Sequence, residues 1–149
     1  GTHAMQINSE AICQVGPDLV PTGVLENVSD TAHDFRVLRP IGDEYAYVAN
    51  FCLSDNRRPL IEVARVFAPE SGLEMIAATT EPGLQLYVGP QSDVEWAGLD
   101  GISYGPGAAF CLEAQIWPDA VNHDNFPSTV LKPGQTLRQE TLYQFSKSV

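Results

Sequence analysis

A single carboxylate, Glu113, stands in an otherwise uncharged run over residues 110–117. Successive side chains of a β-strand point to opposite faces. On this reading one face carries Phe110, Leu112 and Ala114, and the other carries Cys111, Glu113 and Gln115. Burying an acid in a strand costs free energy unless the acid is paired. Glu113 is therefore either a structural group held by a donor, such as Arg65 or a backbone amide, or a base that accepts a proton.

The elements that position Glu113 are short and separated by turns. Gly- and Pro-rich turn signals fall at residues 16–18, 21–23, 40–43, 54–56, 69–72, 81–83, 105–107 and 132–135. Between them lie runs rich in Val, Ile, Leu, Tyr and Phe, at residues 46–53, 61–67, 73–80, 84–88, 110–117 and 139–145. No stretch of helical length carries a clean apolar stripe. The pattern predicts an all-β domain of antiparallel strands.

The predicted domain covers residues 6–149, because residues 1–5 read as a cloning remnant and are excluded from the fold. Alternation then assigns faces within individual strands. In the run 84–88, Gln85 and Tyr87 should share one face, with Leu84, Leu86 and Val88 on the other. In the run 61–67, Val63, Arg65 and Phe67 should share a face. In the run 139–145, Thr141, Tyr143 and Phe145 should share a face.

Composition narrows the class of partner. The net charge is −11, from 19 acidic and 8 basic residues, which argues against nucleic acid and anionic membrane surfaces. No apolar run approaches the roughly 20 residues that span a bilayer. The three cysteines, Cys13, Cys52 and Cys111, are odd in number and widely spaced, which disfavours a disulfide framework or a zinc site. The sequence predicts no metal, no cofactor and a reducing, cytoplasmic compartment.

Several segments together resemble a known family. Residues 110–122 (FCLEAQIWPDAVN), with 126–128 and 131–134, resemble the C-terminal signature of the galactose mutarotase (aldose 1-epimerase) family. Residues 80–87 (TEPGLQLY) are similar to its second signature. Shorter similarities follow in family order at residues 6–8, 20–23, 34–36 and 50–53. Family members are longer, and their N-terminal half carries two active-site histidines and a sugar-binding arginine. The resemblance therefore covers the C-terminal half, and implies an antiparallel β-sandwich that forms part of a larger one.

The resemblance implies a chemistry for Glu113. Mutarotation interconverts the α and β anomers of a free hexose: a base takes the proton of the anomeric hydroxyl, an acid protonates the ring oxygen, and the ring opens and recloses. Glu113 occupies the position of the family's base. Gln85 matches a glutamine close to the sugar, and its amide can both donate and accept hydrogen bonds. Gln115, on the face of Glu113, is a further candidate to bind substrate or orient the carboxylate.

The sequence also departs from the family pattern. Val48 stands where the family has a sugar-binding aspartate, Ala108-Ala109 replaces Ser-Gly, and residues 90–92 replace Asn-Phe-Leu. His33 and His123 read as loop residues and match neither catalytic histidine, while His3 lies in the predicted remnant. These departures indicate relaxed selection on sugar binding, or a different ligand.

Three hypotheses remain open. The first is an aldose 1-epimerase-like domain that keeps the base but lacks the acid, with weak or no activity alone. The second is a non-catalytic carbohydrate-binding or protein-interaction module, and the third is a truncated piece without independent function. Each of the first two predicts a monosaccharide or glycan as ligand. Uncovered sheet edges and apolar faces predict a homo-oligomer, or a complementary chain that covers the exposed sandwich face.

Overall fold

The computed structural model describes residues 2–42, 47–89 and 96–147. Two five-stranded antiparallel sheets pack face to face, as the sequence predicts. The strands are β1 Ala4–Ile7, β2 Ala11–Val15, β3 Pro21–Asn27, β4 Arg39–Pro40, β5 Val48–Cys52, β6 Ile61–Ala68, β7 Leu73–Thr79, β8 Gly83–Tyr87, β9 Cys111–Gln115 and β10 Thr141–Lys147. Sheet A has the order β10-β7-β6-β1-β4, and sheet B the order β3-β2-β5-β8-β9. Two short 3₁₀ turns lie at Leu99–Gly101 and Ala120–Asn122.

The hydrophobic core lies between the two sheets. Alternation turns every second residue of a strand inward, so Phe51, Leu84, Leu86 and Leu112 of sheet B are buried in one cluster. Phe110 and Ala114 pack against that cluster. The predicted inward faces of β8 and β9 are therefore confirmed. In the described part of the chain no helix is long and apolar enough to cross a membrane.

The exclusion of residues 1–5 from the fold is wrong for two of them. Ala4 and Met5 belong to β1, and Met5 is fully buried opposite Val66 of β6. Met5 and Ile7 alternate as the two inward residues of this strand. The apolar alternation of β1 continues back through Met5, so the sequence itself carried the signal that this residue belongs to the fold.

The predicted face of β6 is also wrong. A register shift between Glu62 and Ala64 interrupts the pairing with β7, and both Val63 and Ala64 are buried. Such a bulge inserts one residue and reverses the alternation beyond it. Arg65 and Phe67 consequently lie on the opposite face from Val63. The prediction for β10 is confirmed, because its seven residues pair with β7 without interruption, from Thr141↔Thr79 to Lys147↔Leu73.

His33 is more than a loop residue, because its ring packs edge-on against core aromatics. The ring centroids of Tyr47 and Phe51 lie 5.6 and 6.4 Å away. Burial lowers the pKa of His33, nearby Arg39 lowers it further, and Glu26 partly opposes both. A folded-state pKa below the unfolded value of about 6.5 makes protonation unfavourable to folding.

We expect the stability contribution of His33 to be complete above pH 6.5 and to be lost as the pH falls from that value through the folded-state pKa. Urea unfolding at pH 7.5 and at pH 5.0 measures the loss. His33→Leu, which removes the titrating group, should reduce the difference between the two pH values. His123→Asn is the matched control, and it should leave unchanged the part of the pH dependence of stability that comes from His33. An equal pH dependence in the His33→Leu variant and the parent would contradict this assignment.

Candidate functional site

Three polar side chains line up across the middle of sheet B. The Cα register pairs Asn50 of β5 with Gln85 of β8, and Gln85 with Glu113 of β9. Residues paired directly in an antiparallel sheet point to the same face. Asn50, Gln85 and Glu113, here called the site row, therefore occupy the face of sheet B that is turned away from the core. Gln115 follows Glu113 on this face, two residues along β9.

Glu113 is exposed on this face. It makes no hydrogen bond or ion pair with any other residue that the structure describes. Arg65, the donor considered from sequence, belongs to sheet A, where it binds Glu62 and Glu74 at 3.0 and 2.8 Å. The structural interpretation through Arg65 is therefore wrong. Because Glu113 is open to solvent, its charge needs no protein partner, and its oxygens are available to a ligand.

Gln115 contacts Asn50. Its Nε2 donates to Asn50 Oδ1 at 3.5 Å, and Asn50 Nδ2 donates to Cys13 Sγ at 3.5 Å. Asn50 is only 3% exposed, so these contacts fix its amide. Gln115 makes no hydrogen bond to Glu113 among the described residues, which gives no support to an orienting role. Sequence reasoning did not single out Asn50. The available signal was its place between Val48 and Cys52 on the outer face of the strand.

Gly83 is required where β8 begins. A Cβ at this position would stand 2.8 Å from Asn50 Oδ1, 2.9 Å from Trp117 Cδ1 and 3.0 Å from the Gln115 carbonyl oxygen. Real Cβ atoms rarely approach other atoms so closely. Asn50 and Trp117 are both buried, so neither side chain can readily move away. The missing side chain therefore leaves the space in which Asn50, Gln115 and Trp117 meet.

Gly83→Ala should destabilise the fold by about 1–3 kcal/mol, because the added methyl overpacks this junction. It should also shift the side-chain amide resonances of Asn50 and Gln115 in NMR spectra. Gly105→Ala is the matched control, since no atom lies within 4 Å of its Cβ position and its φ is not in the left-handed region. Chemical denaturation that gives the same free energy of unfolding for both variants would contradict the prediction.

The segment after β9 folds back over part of this face. Trp117 is buried, and its Nε1 donates to the Pro82 carbonyl oxygen at 2.8 Å. Its ring meets Phe126 edge-on with centroids 5.0 Å apart. Trp117, Phe126, Ala120 and Cys13 form a second, smaller hydrophobic cluster. This cluster covers one end of the outer face and leaves Glu113 exposed.

The three histidines lie elsewhere. The His3 ring packs against Phe110 at 5.8 Å, and His33 packs against core aromatics. His123 Nε2 lies 3.2 Å from the Pro21 carbonyl oxygen and 3.3 Å from Asp119 Oδ2, which ties its loop to β3. Within the described chain none of these rings makes a hydrogen bond, ion pair or ring contact with Glu113. The structure thus brings the three histidines neither to the candidate base nor to one another.

Apolar surface borders the site row. Val48 and Tyr87 pair across β5 and β8 on the outer face, and each is 36% exposed. The valine stands where the family resemblance implies a carboxylate. A hollow of about 60 Å³ lies beside them, and its lining includes Cys13, Asn50 and Gln85. Residues 90–92, another departure from the family pattern, lie outside the described residues.

The outer edge of β9 is capped by side chains from the C-terminal segment. Tyr143 OH donates to the Leu112 carbonyl oxygen at 2.7 Å, and Gln139 Nε2 donates to the Ala114 carbonyl oxygen at 3.1 Å. Burial raises the pKa of Tyr143, and the charge of Glu113 raises it further. The negative potential of Glu113 therefore reaches across the edge of the sheet. Among the described residues no three His, Cys, Asp or Glu side chains cluster as metal ligands would.

Comparisons with known proteins agree with this architecture. Galactose mutarotase of Bos taurus is 36% identical over 150 residues, and the human galactose mutarotase is 35% identical. Each alignment covers 97% of this chain and 44% of the relative, so the chain spans about half the length of these curated relatives. The solved structure of an aldose epimerase homologue from C. elegans superposes with a TM-score of 0.86 at 27% identity. The superposition covers 98% of this chain and 46% of the C. elegans chain.

The sequence profile of the aldose 1-epimerase family also matches nearly the whole chain. It extends over residues 2–144, and so includes β1, every strand of sheet B and most of β10. The matched region contains the whole site row and the segment that folds over it. The two-sheet architecture, the row on the outer face and this match lead to one conclusion: the chain belongs to the aldose 1-epimerase family.

Proposed function

We propose that this chain provides the base side of an aldose 1-epimerase site that acts on a free monosaccharide. Glu113 takes the proton of the anomeric hydroxyl, and Gln85 and Gln115 bind sugar hydroxyls. The observation that carries the proposal is the site row, in which Asn50, Gln85 and Glu113 stand side by side on the outer face of sheet B, with Asn50 buried and Glu113 exposed. Membership of the family supports it.

The spacing of the row suits a sugar ring. Neighbouring strands lie about 4.8 Å apart, so a single six-membered ring can contact Gln85 and Glu113 together. The Glu113 carboxylate accepts a proton from the anomeric hydroxyl, and the Gln85 amide can donate to one hydroxyl while accepting from another. Gln115 is already in contact with Asn50. It therefore presents a held amide beside the base.

Mutarotation also needs an acid that protonates the ring oxygen. The three histidines of this chain lie away from Glu113, so the acid comes from protein beyond the described residues. A second copy of the chain, or a complementary chain that covers the exposed sandwich face, would provide it. The edge strand β3 of sheet B gives such a partner backbone groups to pair with. Without that partner the chain should have little epimerase activity.

Polarimetry of freshly dissolved α-D-glucose and α-D-galactose tests the proposal, with the chain at increasing concentration. Any acceleration above buffer should fall about a hundredfold in Glu113→Gln, the usual scale for loss of a general base. Glu70→Gln, at an exposed acid in the turn between β6 and β7, is the matched control. An acceleration that persists in Glu113→Gln would rule out Glu113 as the base.

Sugar binding is measured separately, because the chain alone should turn over slowly. Ligand-observed NMR with D-galactose should show binding that Gln85→Ala weakens and Glu113→Gln largely retains, since glutamine keeps the shape of the side chain. Equal binding by the parent and Gln85→Ala would contradict the assignment of the site row. The Glu70→Gln control should match the parent in both experiments.

A non-catalytic carbohydrate-binding or protein-interaction module is the second candidate function. The exposed pair Val48–Tyr87 favours it, because an aromatic side chain offers an apolar surface with a polar tip, and the apolar face of a sugar can rest on it. Glycan binding without any mutarotation, lost in Tyr87→Ala, would support this candidate. Mutarotation lost in Glu113→Gln would decide against it. A cytoplasmic location accords with the three free thiols of Cys13, Cys52 and Cys111.

A further inference from the structure

Two thiols that sequence spacing did not connect lie in contact beside Asn50, on the outer face of sheet B. Cys13 is on β2 and Cys52 is on β5, and their Sγ atoms are 3.6 Å apart. Cys13 is buried and Cys52 is half-buried. Both face the outer side of sheet B, beneath the segment that carries Trp117. The proposed epimerase chemistry uses neither thiol.

The two sulfur atoms are not equivalent. Cys13 Sγ lies 3.5 Å from Asn50 Nδ2, which donates to it, in addition to its contact with Cys52. The hydrogen bond from the Cys52 thiol lowers the pKa of Cys13, the Asn50 amide adds to this effect, and burial opposes it. The same hydrogen bond, together with burial, raises the pKa of Cys52. Cys13 is therefore the more acidic thiol of the pair, and Cys52 the less acidic one.

Each of the two cysteines lines an opening in the structure. Cys13 lines the hollow of about 60 Å³ beside Gln85. Cys52 lines a cleft of about 630 Å³ whose walls include Ser9, Leu53 and Trp117. One buried water needs about 10–15 Å³, so the smaller hollow admits a molecule the size of hydrogen peroxide. The thiol pair thus stands in the wall between two openings.

We infer that Cys13 and Cys52 form a redox pair that hydrogen peroxide closes to a disulfide beside Asn50 of the site row. The Cys13 thiolate attacks one peroxide oxygen, the O–O bond breaks, and hydroxide leaves, so that Cys13 becomes a sulfenic acid. The sulfur of Cys52 then attacks the sulfenic sulfur. The sulfenic hydroxyl leaves with the Cys52 proton as water. The hydroxide takes up the proton that Cys13 lost on ionisation. Two electrons thus pass from the two thiols to the peroxide, and the products are one disulfide and two waters.

Closure changes the site row. Bond formation brings the sulfur atoms from 3.6 Å to about 2.05 Å. Ile12 pairs with Phe51, which places Cys13 opposite Asn50 and diagonal to Cys52. A diagonal bridge draws the two strands together, and a bridge under such strain is readily reduced by thiols. The Cys13 sulfur that accepts a hydrogen bond from the buried Asn50 amide also moves toward Cys52. Oxidation should therefore displace Asn50, a member of the site row.

The test begins with Cys111→Ser, which removes the exposed third thiol and is the reference for all other variants. Brief treatment of this protein with hydrogen peroxide should lower its mass by two hydrogen atoms and remove both thiols together. Proteolytic mapping should recover one cross-linked peptide pair that joins Cys13 to Cys52. Asn50 side-chain resonances should shift on oxidation and return with dithiothreitol. Oxidation of the two thiols without a cross-link would overturn the inference.

Single substitutions in the same background assign the roles. With Cys52→Ser, Cys13 should stop at the sulfenic acid, which dimedone traps. With Cys13→Ser, Cys52 should react about tenfold more slowly than Cys13 does, because it lacks thiolate character. Equal reactivity of the two thiols would overturn the assignment.

A probe that needs no oxidation covers the case in which a serine variant fails to fold. Phenylarsine oxide bridges two adjacent thiols, and it should bind the folded reference protein in a one-to-one ratio. Absence of that complex would show that the sulfur atoms do not meet in solution, and would overturn the inference. This test does not depend on epimerase activity, so its result is separate from the proposed function.

Discussion

Replacing Arg57 with alanine should lower the free energy of unfolding by about 3–5 kcal/mol, because it leaves a buried charge without its partner. Glu81 is the buried charge, with only 2% of its side chain exposed. Arg57 Nε and Nη2 donate to its two carboxylate oxygens at 2.6 and 3.0 Å. The Glu81 backbone N–H is also held, by Thr79 Oγ1 at 3.1 Å. This clamp fixes the turn that leads into β8, and so fixes the position of Gln85.

Urea denaturation followed by circular dichroism measures the change, and the midpoint of thermal unfolding should fall by about 6–20 °C. Arg58→Ala is the matched control: Arg58 is the adjacent arginine, and its buried Nε has no hydrogen-bond partner in the described structure. We expect it to change stability little. The double variant Arg57→Met with Glu81→Leu should recover most of the loss, since no charge then remains buried. A loss in Arg57→Ala no larger than in Arg58→Ala would contradict the role of the clamp.

Trp117→Ala should also lower the free energy of unfolding by about 3–5 kcal/mol, the usual range for removing a large buried aromatic. The substitution opens a cavity between Phe126 and the outer face of sheet B, and it removes the hydrogen bond to the Pro82 carbonyl oxygen. Because Cys13 lies in the same cluster, its thiol should also become more reactive toward alkylating agents. Chemical denaturation and timed alkylation with peptide mapping measure the two effects.

Trp117→Phe separates packing from hydrogen bonding. It keeps an aromatic ring against Phe126 and loses only the Nε1 donor, with part of the volume. The Pro82 carbonyl oxygen still accepts hydrogen bonds from the Leu53 and Ser54 backbone N–H groups, so we expect the loss of the hydrogen bond to cost about 1 kcal/mol. Trp96→Phe is the exposed control, at 79% exposure, and should have little effect. Equal destabilisation by Trp117→Ala and Trp96→Phe would contradict the packing role.

The alternation of single strands could be predicted from sequence, and it predicted the fold class correctly. It assigned Gln85 to one face of β8 and Glu113 to one face of β9. It could not show that these strands are neighbours with the two residues in register, because pairing between distant segments depends on the packing of the whole sheet. The family resemblance supplied the roles proposed for Gln85 and Glu113. The observed pairing of β5 with β8 identified Asn50 as the third member of the site row.

The features that sequence did not reveal, apart from the start of β1, share a cause. The bulge in β6 depends on how that strand fits against β7, and the contact between Cys13 and Cys52 depends on β2 lying beside β5. Neither leaves a local sequence signal. The same is true of the Arg57–Glu81 pair, in which Glu81 begins a predicted turn and Arg57 directly follows another. The sequence thus predicted which residues share a face of a strand. It did not predict which residues of distant segments are in contact.

The order in which the chain visits its two sheets governs how it can fold. β1 lies in sheet A, β2 and β3 in sheet B, β4 again in sheet A and β5 in sheet B. The pair β6 and β7 then joins sheet A, the pair β8 and β9 joins sheet B, and β10 returns to sheet A. Neither sheet can be completed from one continuous stretch of chain, so most native pairings close long loops. High contact order of this kind predicts folding in milliseconds to seconds. During synthesis, sheet A remains incomplete until β10 has been made. Until then the unpaired edge of β7 is open to chaperones or to other nascent chains.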